Sequence, residues 1–271
     1  MENRKFADLS KSEKFLLPLN LISAGIDLAF SIPLVGRLGK WVWNSFLTLL
    51  HFLFGLIELL FWMAGFRPTK KLRIGFLVCT GEDGEALAHP EDISPAIKYA
   101  ERAFEGARIG LVPAFPPPKR LSESEEEDEG RKWMRVLSAE DSIQIINANC
   151  DLQAVLQDLG LHGSRFQYNT VRALFHSTLR RVSGYGAPIA IFVIKDLNGF
   201  GGCSLAWLSD YITVLARSLK TTAHEIGHAC NLLHRKDPEN LMNPSSVHQD
   251  SVTLTIWQIA MLRASRHVTL I

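Results

Sequence analysis

The hydrophobic pattern of the chain changes once, near Pro68. Before that point apolar residues run almost unbroken from Val42 to Phe66 (VWNSFLTLLHFLFGLIELLFWMAGF), about the 20 residues that a helix needs to cross a bilayer. His51 and Glu58 interrupt the run, and seven positions apart they fall on nearly one helical face, where they are expected to meet another helix and avoid lipid. The candidate for that second helix is an earlier apolar stretch, Phe15 to Val35, which contains Pro18, Asn20, Asp27 and Pro33 and is the poorer span, re-entrant or interfacial. After Pro68 short apolar runs alternate with amphipathic stretches, an α/β pattern. Ile74 to Cys79 and Arg108 to Val112 are expected strands flanking a helix from about Ile93 to Phe104. Ile143 to Ile146 is a further short strand, Tyr168 to Val182 a helix and Pro188 to Ile194 a buried strand.

The expected organisation is therefore an N-terminal membrane-associated segment, 1–69, with one or two hydrophobic helices, followed by a domain over 70–271. Trp41, Trp43 and Trp62 lie near segment ends, as interface anchors do. Arg67, Lys70, Lys71 and Arg73 follow the longer run with no acidic residue among them, which places the domain in the cytoplasm by the positive-inside bias. Arg4, Lys5, Lys11 and Lys14 precede the first run, so a hairpin with both ends inside satisfies both clusters, although Arg37 and Lys40 in its loop weaken the asymmetry. A single span leaves the domain on the same side. Two other accounts compete: a signal peptide, disfavoured because a second and longer apolar segment follows the first, and a pair of buried core helices in a soluble protein.

Composition narrows the function classes. With 29 basic and 28 acidic residues in 271 and a formal charge of +1, nothing global points to a nucleic-acid partner. Cys79, Cys150, Cys203 and Cys230 have no CxxC spacing, which fits buried thiols in a reducing compartment better than a disulfide framework. The stretch at about 113–132 joins a proline run to an acidic block, Glu123 to Glu129, and is expected to be a mobile, solvated loop.

The chemistry lies in Thr221 to Pro244, TTAHEIGHACNLLHRKDPENLMNP. His224 and His228, four apart, present both imidazoles from one helical face to a single ion, here Zn²⁺. Glu225 is directed beside the metal and not at it, where it can take a proton from water. His234, six residues after His228, reaches the same ion only if the helix breaks between them, and Asn231 is the residue best able to break it in the left-handed conformation. Asn231→Gly is then expected to be tolerated and Asn231→Val to displace His234. His248 and His267 are read as ordinary surface histidines.

The segment resembles the metzincin clan of zinc endopeptidases, with a matrixin-like or archaemetzincin-like core, whose pattern is HExxHxxGxxH followed by a methionine-containing turn. Asp237, Pro238, Leu241, Met242 and Pro244 resemble the matrixin version of that turn, so Met242 is implied to lie under the metal. Upstream, NGFGGCSLAW (Asn198 to Trp207) is similar to the family's glycine-rich loop and edge strand, so Gly202, Cys203, Ser204, Leu205 and Ala206 are implied to pair with an extended substrate, with Tyr211 to Leu215 as the next strand. Thr255 and Gln258 fit a capping box opening a final helix through Ala264. The resemblance implies a metzincin-like mixed twisted sheet with an active-site helix, a methionine turn and a C-terminal helix. Its departures are Asn231 for glycine, the membrane segment, the acidic loop, and the lack of a PRCGxPD-like cysteine switch. The expected activity is a membrane-attached zinc-dependent endopeptidase acting on peptide or protein substrates at a lipid bilayer, with Glu225 as catalytic base. The alternatives are a non-enzymatic membrane scaffold retaining the zinc site, and a zinc hydrolase of a non-peptide bond.

Overall fold

The computed structural model describes residues 33–115, 130–139, 142, 186–197, 201–204, 211–244 and 252–270. The elements expected at Ile143 to Ile146 and Tyr168 to Val182, the apolar stretch before residue 33, most of the acidic loop, Cys150 and His248 lie outside them.

The described part is a mixed α/β structure. Helix α1 (Pro33–Met63) leads into β1 (Lys70–Val78), then α2 (Pro90–Glu105), β2 (Ile109–Pro113), β3 (Met134–Val136), β4 (Ile189–Ile194), β5 (Gly202–Cys203), β6 (Tyr211–Leu215), α3 (Thr222–Ala229), α4 (Ile256–Ala264) and β7 (Val268–Thr269). The sheet runs β2-β1-β4-β6-β5. Its central pairings are parallel, with Ile74 opposite Ile189 and Ala190 opposite Tyr211, whereas β5 runs antiparallel to β6 at the end of the order. Strand β1 is long enough to serve four neighbours: β2 and then β3 along one edge, β7 and then β4 along the other.

Alternation in the strands sets two cores. Ile74, Phe76 and Val78 of β1 join Ile189, Ile191 and Val193 of β4 on the face that receives the helices. Leu77 and Cys79 join Ala190, Phe192 and Ile194 on the other. The α2 helix covers the first face through Ile93, Ile97, Ala100 and Phe104, the helical period expected between Ile93 and Phe104, and starts three residues earlier behind Pro90. Strand β1 begins at Lys70, four residues before its apolar run, because β2 and β7 both supply partners there.

Among the described residues no helix is long and apolar enough to cross a membrane. Helix α1 lies instead along α4. His51, Gly55, Glu58 and Trp62 recur at helical spacing and face inward. His51 bonds the Met261 carbonyl at 2.8 Å, Gly55 leaves no room for a Cβ against Met261 Sδ, and Trp62 is buried. Glu58 takes Lys70 on one oxygen and Arg263 Nε on the other at 3.0 Å. Arg263, 1% exposed, completes its donor set on the Ala107 and Pro68 carbonyls and lies over the Trp62 ring. The helix that His51 and Glu58 meet is thus α4, more than 200 residues away in sequence. Lys70, counted above among the free positive charges beyond the apolar run, is buried in this pair.

His267 is not a surface residue: it is 1% exposed, with Nδ1 bonded to the Ala187 carbonyl at 2.8 Å, because the turn after α4 folds back to start β7. Cys79 and Cys230 are buried free thiols, Cys203 is partly buried, and burial pushes both buried thiols up to about 12.

Candidate metal centre

Helix α3 follows a 3-10 segment (Ala216–Thr221), kinked at Ser218, that leads the chain on from the end of β6. Ala223, Ile226 and Ala229 face the core, which leaves His224 and His228 together on the opposite side. The helix is short because its end is built in. Asn231 has φ +65°, its N–H bonds the His228 carbonyl at 2.8 Å, and the Leu232 N–H bonds the Gly227 carbonyl at 2.9 Å. This paired closure is a Schellman motif with asparagine in the left-handed position that usually takes glycine. It turns the chain so that His234 comes back over α3.

The three imidazoles converge. The Nε2 atoms of His224 and His228 are 3.1 Å apart, those of His228 and His234 3.0 Å, and those of His224 and His234 3.2 Å. His224 Nδ1 donates to the Leu241 carbonyl and His228 Nδ1 to the Leu232 carbonyl, each at 2.8 Å. These bonds fix the tautomer of both rings and leave each Nε2 as a bare lone pair. Bare lone pairs repel one another, so their convergence requires a shared cation or proton. Nitrogens bound about 2.0–2.1 Å from a tetrahedral ion are about 3.3 Å apart, so the cluster fits a metal ion with little movement. The group is able to hold one.

Burial lowers the pKa of His224 and His228, His228 to about 4, with the neighbouring histidines adding to the effect against the carbonyl bonds that raise it. Both rings are therefore neutral ligands at neutral pH.

Glu225 lies beside the trio, 6% exposed. A Cβ on Gly202 would sit 2.7 Å from Glu225 Cγ and 2.8 Å from Oε1, so the carboxylate rests against β5 where that strand lacks a side chain. The Ser204 N–H donates to it, but burial dominates and pushes its pKa up to about 8. Met242, fully buried, lies under α3, with Sδ where a Cβ of Gly227 would otherwise be. Its turn is pinned from behind. Asn240 and Gln258 exchange side-chain bonds of 2.8 and 2.9 Å, Asn240 Oδ1 also accepts the Met242 N–H, and Gln258 closes a capping box with Thr255 at the start of α4.

The structure brings together His224, Glu225, His228, His234, Asn231, Met242, Gly202 and Ser204, with Cys203 beside them in β5; Leu205 and Ala206 lie outside the described residues. Sequence reasoning missed the two orienting carbonyls and the Ser204 N–H, since a main-chain atom leaves no signature in residue identity. It also read Gln258 only as a cap; a glutamine in a first helical turn signals that role and not its bond to Asn240. Compared with protein-family models and with curated proteins, the chain matches none.

Proposed function

We propose that this chain is a zinc-dependent endopeptidase of metzincin-like build, attached to a membrane through its N-terminal region. The observation that carries the reading is the meeting of three imidazole Nε2 atoms, those of His224 and His228 bare lone pairs, with a buried carboxylate beside them. A purely structural zinc site closes its fourth position with a protein ligand, whereas this trio leaves it open. Bound zinc supplies a Lewis acid that polarises a carbonyl oxygen and acidifies water. The chain supplies the rest. Glu225, whose affinity for a proton is raised by burial, accepts one at its carboxylate and returns it to a leaving amine. Gly202 and the Ser204 N–H hold that carboxylate in place. Strand β5 ends the sheet order, so its outer edge faces no other strand among the described residues and suits an extended peptide laid antiparallel.

Attachment to a bilayer is supported by the outward side of α1 and the turn after it. Eleven large apolar side chains between Phe46 and Phe66 are exposed there, among them Phe54, Leu60 and Met63, far more than a soluble surface carries on one helix. The basic residues Arg67, Lys71 and Arg73 favour a cytoplasmic domain. The test is the full chain purified in detergent: about one zinc per chain, and peptide cleavage that Glu225→Gln lowers about 10²–10⁴-fold while zinc is retained. Metal-free protein, or equal turnover by the variant, overturns the reading. Retention in the membrane pellet through an alkaline wash tests the attachment.

A further inference from the structure

We propose that His51 of α1 and Asn231 at the end of α3 form a latch through which the N-terminal helix positions the third histidine of the metal centre. The inference rests on the metal-site reading above. Glycine satisfies the left-handed backbone at position 231 without a Cβ cost, so the conformation alone does not account for asparagine. The side chain does. Asn231 Nδ2 donates to His51 Nδ1 at 2.8 Å, across 180 positions of sequence. His51 Nε2 donates to the Met261 carbonyl at 2.8 Å, which fixes the tautomer and leaves Nδ1 able only to accept. A relay therefore runs from the turn that ends the metal-binding helix, through a buried imidazole of α1, to the backbone of α4.

Asn231 borders two cavities of about 410 and 420 Å³, one holding Glu58 and Arg263, the other lined by Phe52, Leu233, His234 and Trp257. Asn231 lines both cavities, and His51 lines the first of them. What the hydrogen bond restrains matters for two ligands at once. Leu232, the next residue, gives its carbonyl to His228 Nδ1, and His234 follows two residues later. Movement at Asn231 is thus passed to the orientation of the second ligand and the position of the third. His51 touches none of the three histidines by any bond described above, so its role is positioning.

The experiment uses the full chain in detergent, with zinc affinity measured by chelator competition and ligand geometry by the visible spectrum of the Co²⁺-substituted protein. His51→Phe and Asn231→Gly each remove the bond from one side, and each is expected to weaken zinc binding about 3–10-fold, the worth of one hydrogen bond, and to alter the Co²⁺ spectrum. The double variant is expected to be no worse than either single one. His51→Gln, whose amide can both accept from Asn231 and donate to Met261, is expected to restore affinity and spectrum. Additive losses, or wild-type affinity and spectrum in both single variants, overturn the latch and leave the metal centre standing. A wild-type chain that takes up neither metal overturns both.

Discussion

Two polar clusters of this molecule differ in what they leave over. In the Glu58–Lys70–Arg263 cluster two cations share one carboxylate, one on each oxygen, and Nε, Nη1 and Nη2 of Arg263 each have an oxygen partner. In the His224–His228–His234 cluster the outer nitrogens of two rings are satisfied by carbonyls, while the inner nitrogens face only one another. The first cluster is complete without help and holds α1 to the domain. The second asks for a cation. Burial of polar groups is thus common to both and marks neither as functional; the unsatisfied remainder does.

The sharpest way to break the comparison is to cut each cluster once. Glu58→Leu leaves Lys70 and Arg263 buried without their counter-charge and is expected to cost about 3–5 kcal/mol of stability in denaturant titration, with zinc content unchanged. His228→Ala is expected to do the reverse, abolishing zinc binding while the metal-free protein melts no lower. Loss of zinc in the first variant with normal stability would merge the two roles.

The next prediction concerns pH. Between pH 4.5 and about 8 an unfolded chain has released the Glu225 proton that the folded metal-free chain still holds, so stability falls as pH rises through that window. His228 acts in the opposite sense, its contribution being lost as pH falls from 6.5 through about 4. The carboxylate is therefore read most cleanly from pH 6.5 to about 8. There Glu225→Gln is expected to remove the slope and raise the metal-free melting temperature by about 2–4 °C for each kcal/mol recovered. Saturating zinc, a cation beside the carboxylate, is expected to flatten the wild-type slope. A slope that survives in the variant would assign it to another group.

Two smaller effects separate packing from backbone. Gly227→Ala drives a Cβ into Met242 Sδ, and this overpacking is expected to cost about 1–3 kcal/mol, with weaker zinc binding if α3 lifts. Asn231→Val forces a β-branched residue into the left-handed region, at about 1–2 kcal/mol, and also removes the bond to His51; both changes are read as thermal shifts against wild type. Asn231→Gly relieves the backbone but not the lost bond, so it is expected to fold as wild type does and, through the latch proposed above, to bind zinc less tightly.

What the sequence made legible was local. The α2 helix and its flanking strands, β4, β6 and the Thr255 capping box all announce themselves within a window of a few residues, because periodicity and capping are nearest-neighbour physics. The spacing of His224, His228 and His234 was legible for the same reason, and so was Asn231 as the residue best able to leave the helix. The docking of α1 was not. His51 and Glu58 signal that their face avoids lipid, but nothing near them names Met261, Arg263 or Asn231 as partners. His267 was misread because a polar residue near the chain end carries no sign that β7 will bury it.

One consequence of the way α1 lies is geometrical. The line dividing the α/β domain from its surroundings does not fall between two residue numbers; it runs lengthwise down the helix. The half of each turn carrying His51, Gly55, Glu58 and Trp62 is part of the domain's interior, and the half carrying Leu53, Leu56, Leu60 and Met63 faces out. A fragment that begins at Lys70 is therefore not the domain set free but the domain with a wall removed, its Arg263 and Met261 opened to solvent.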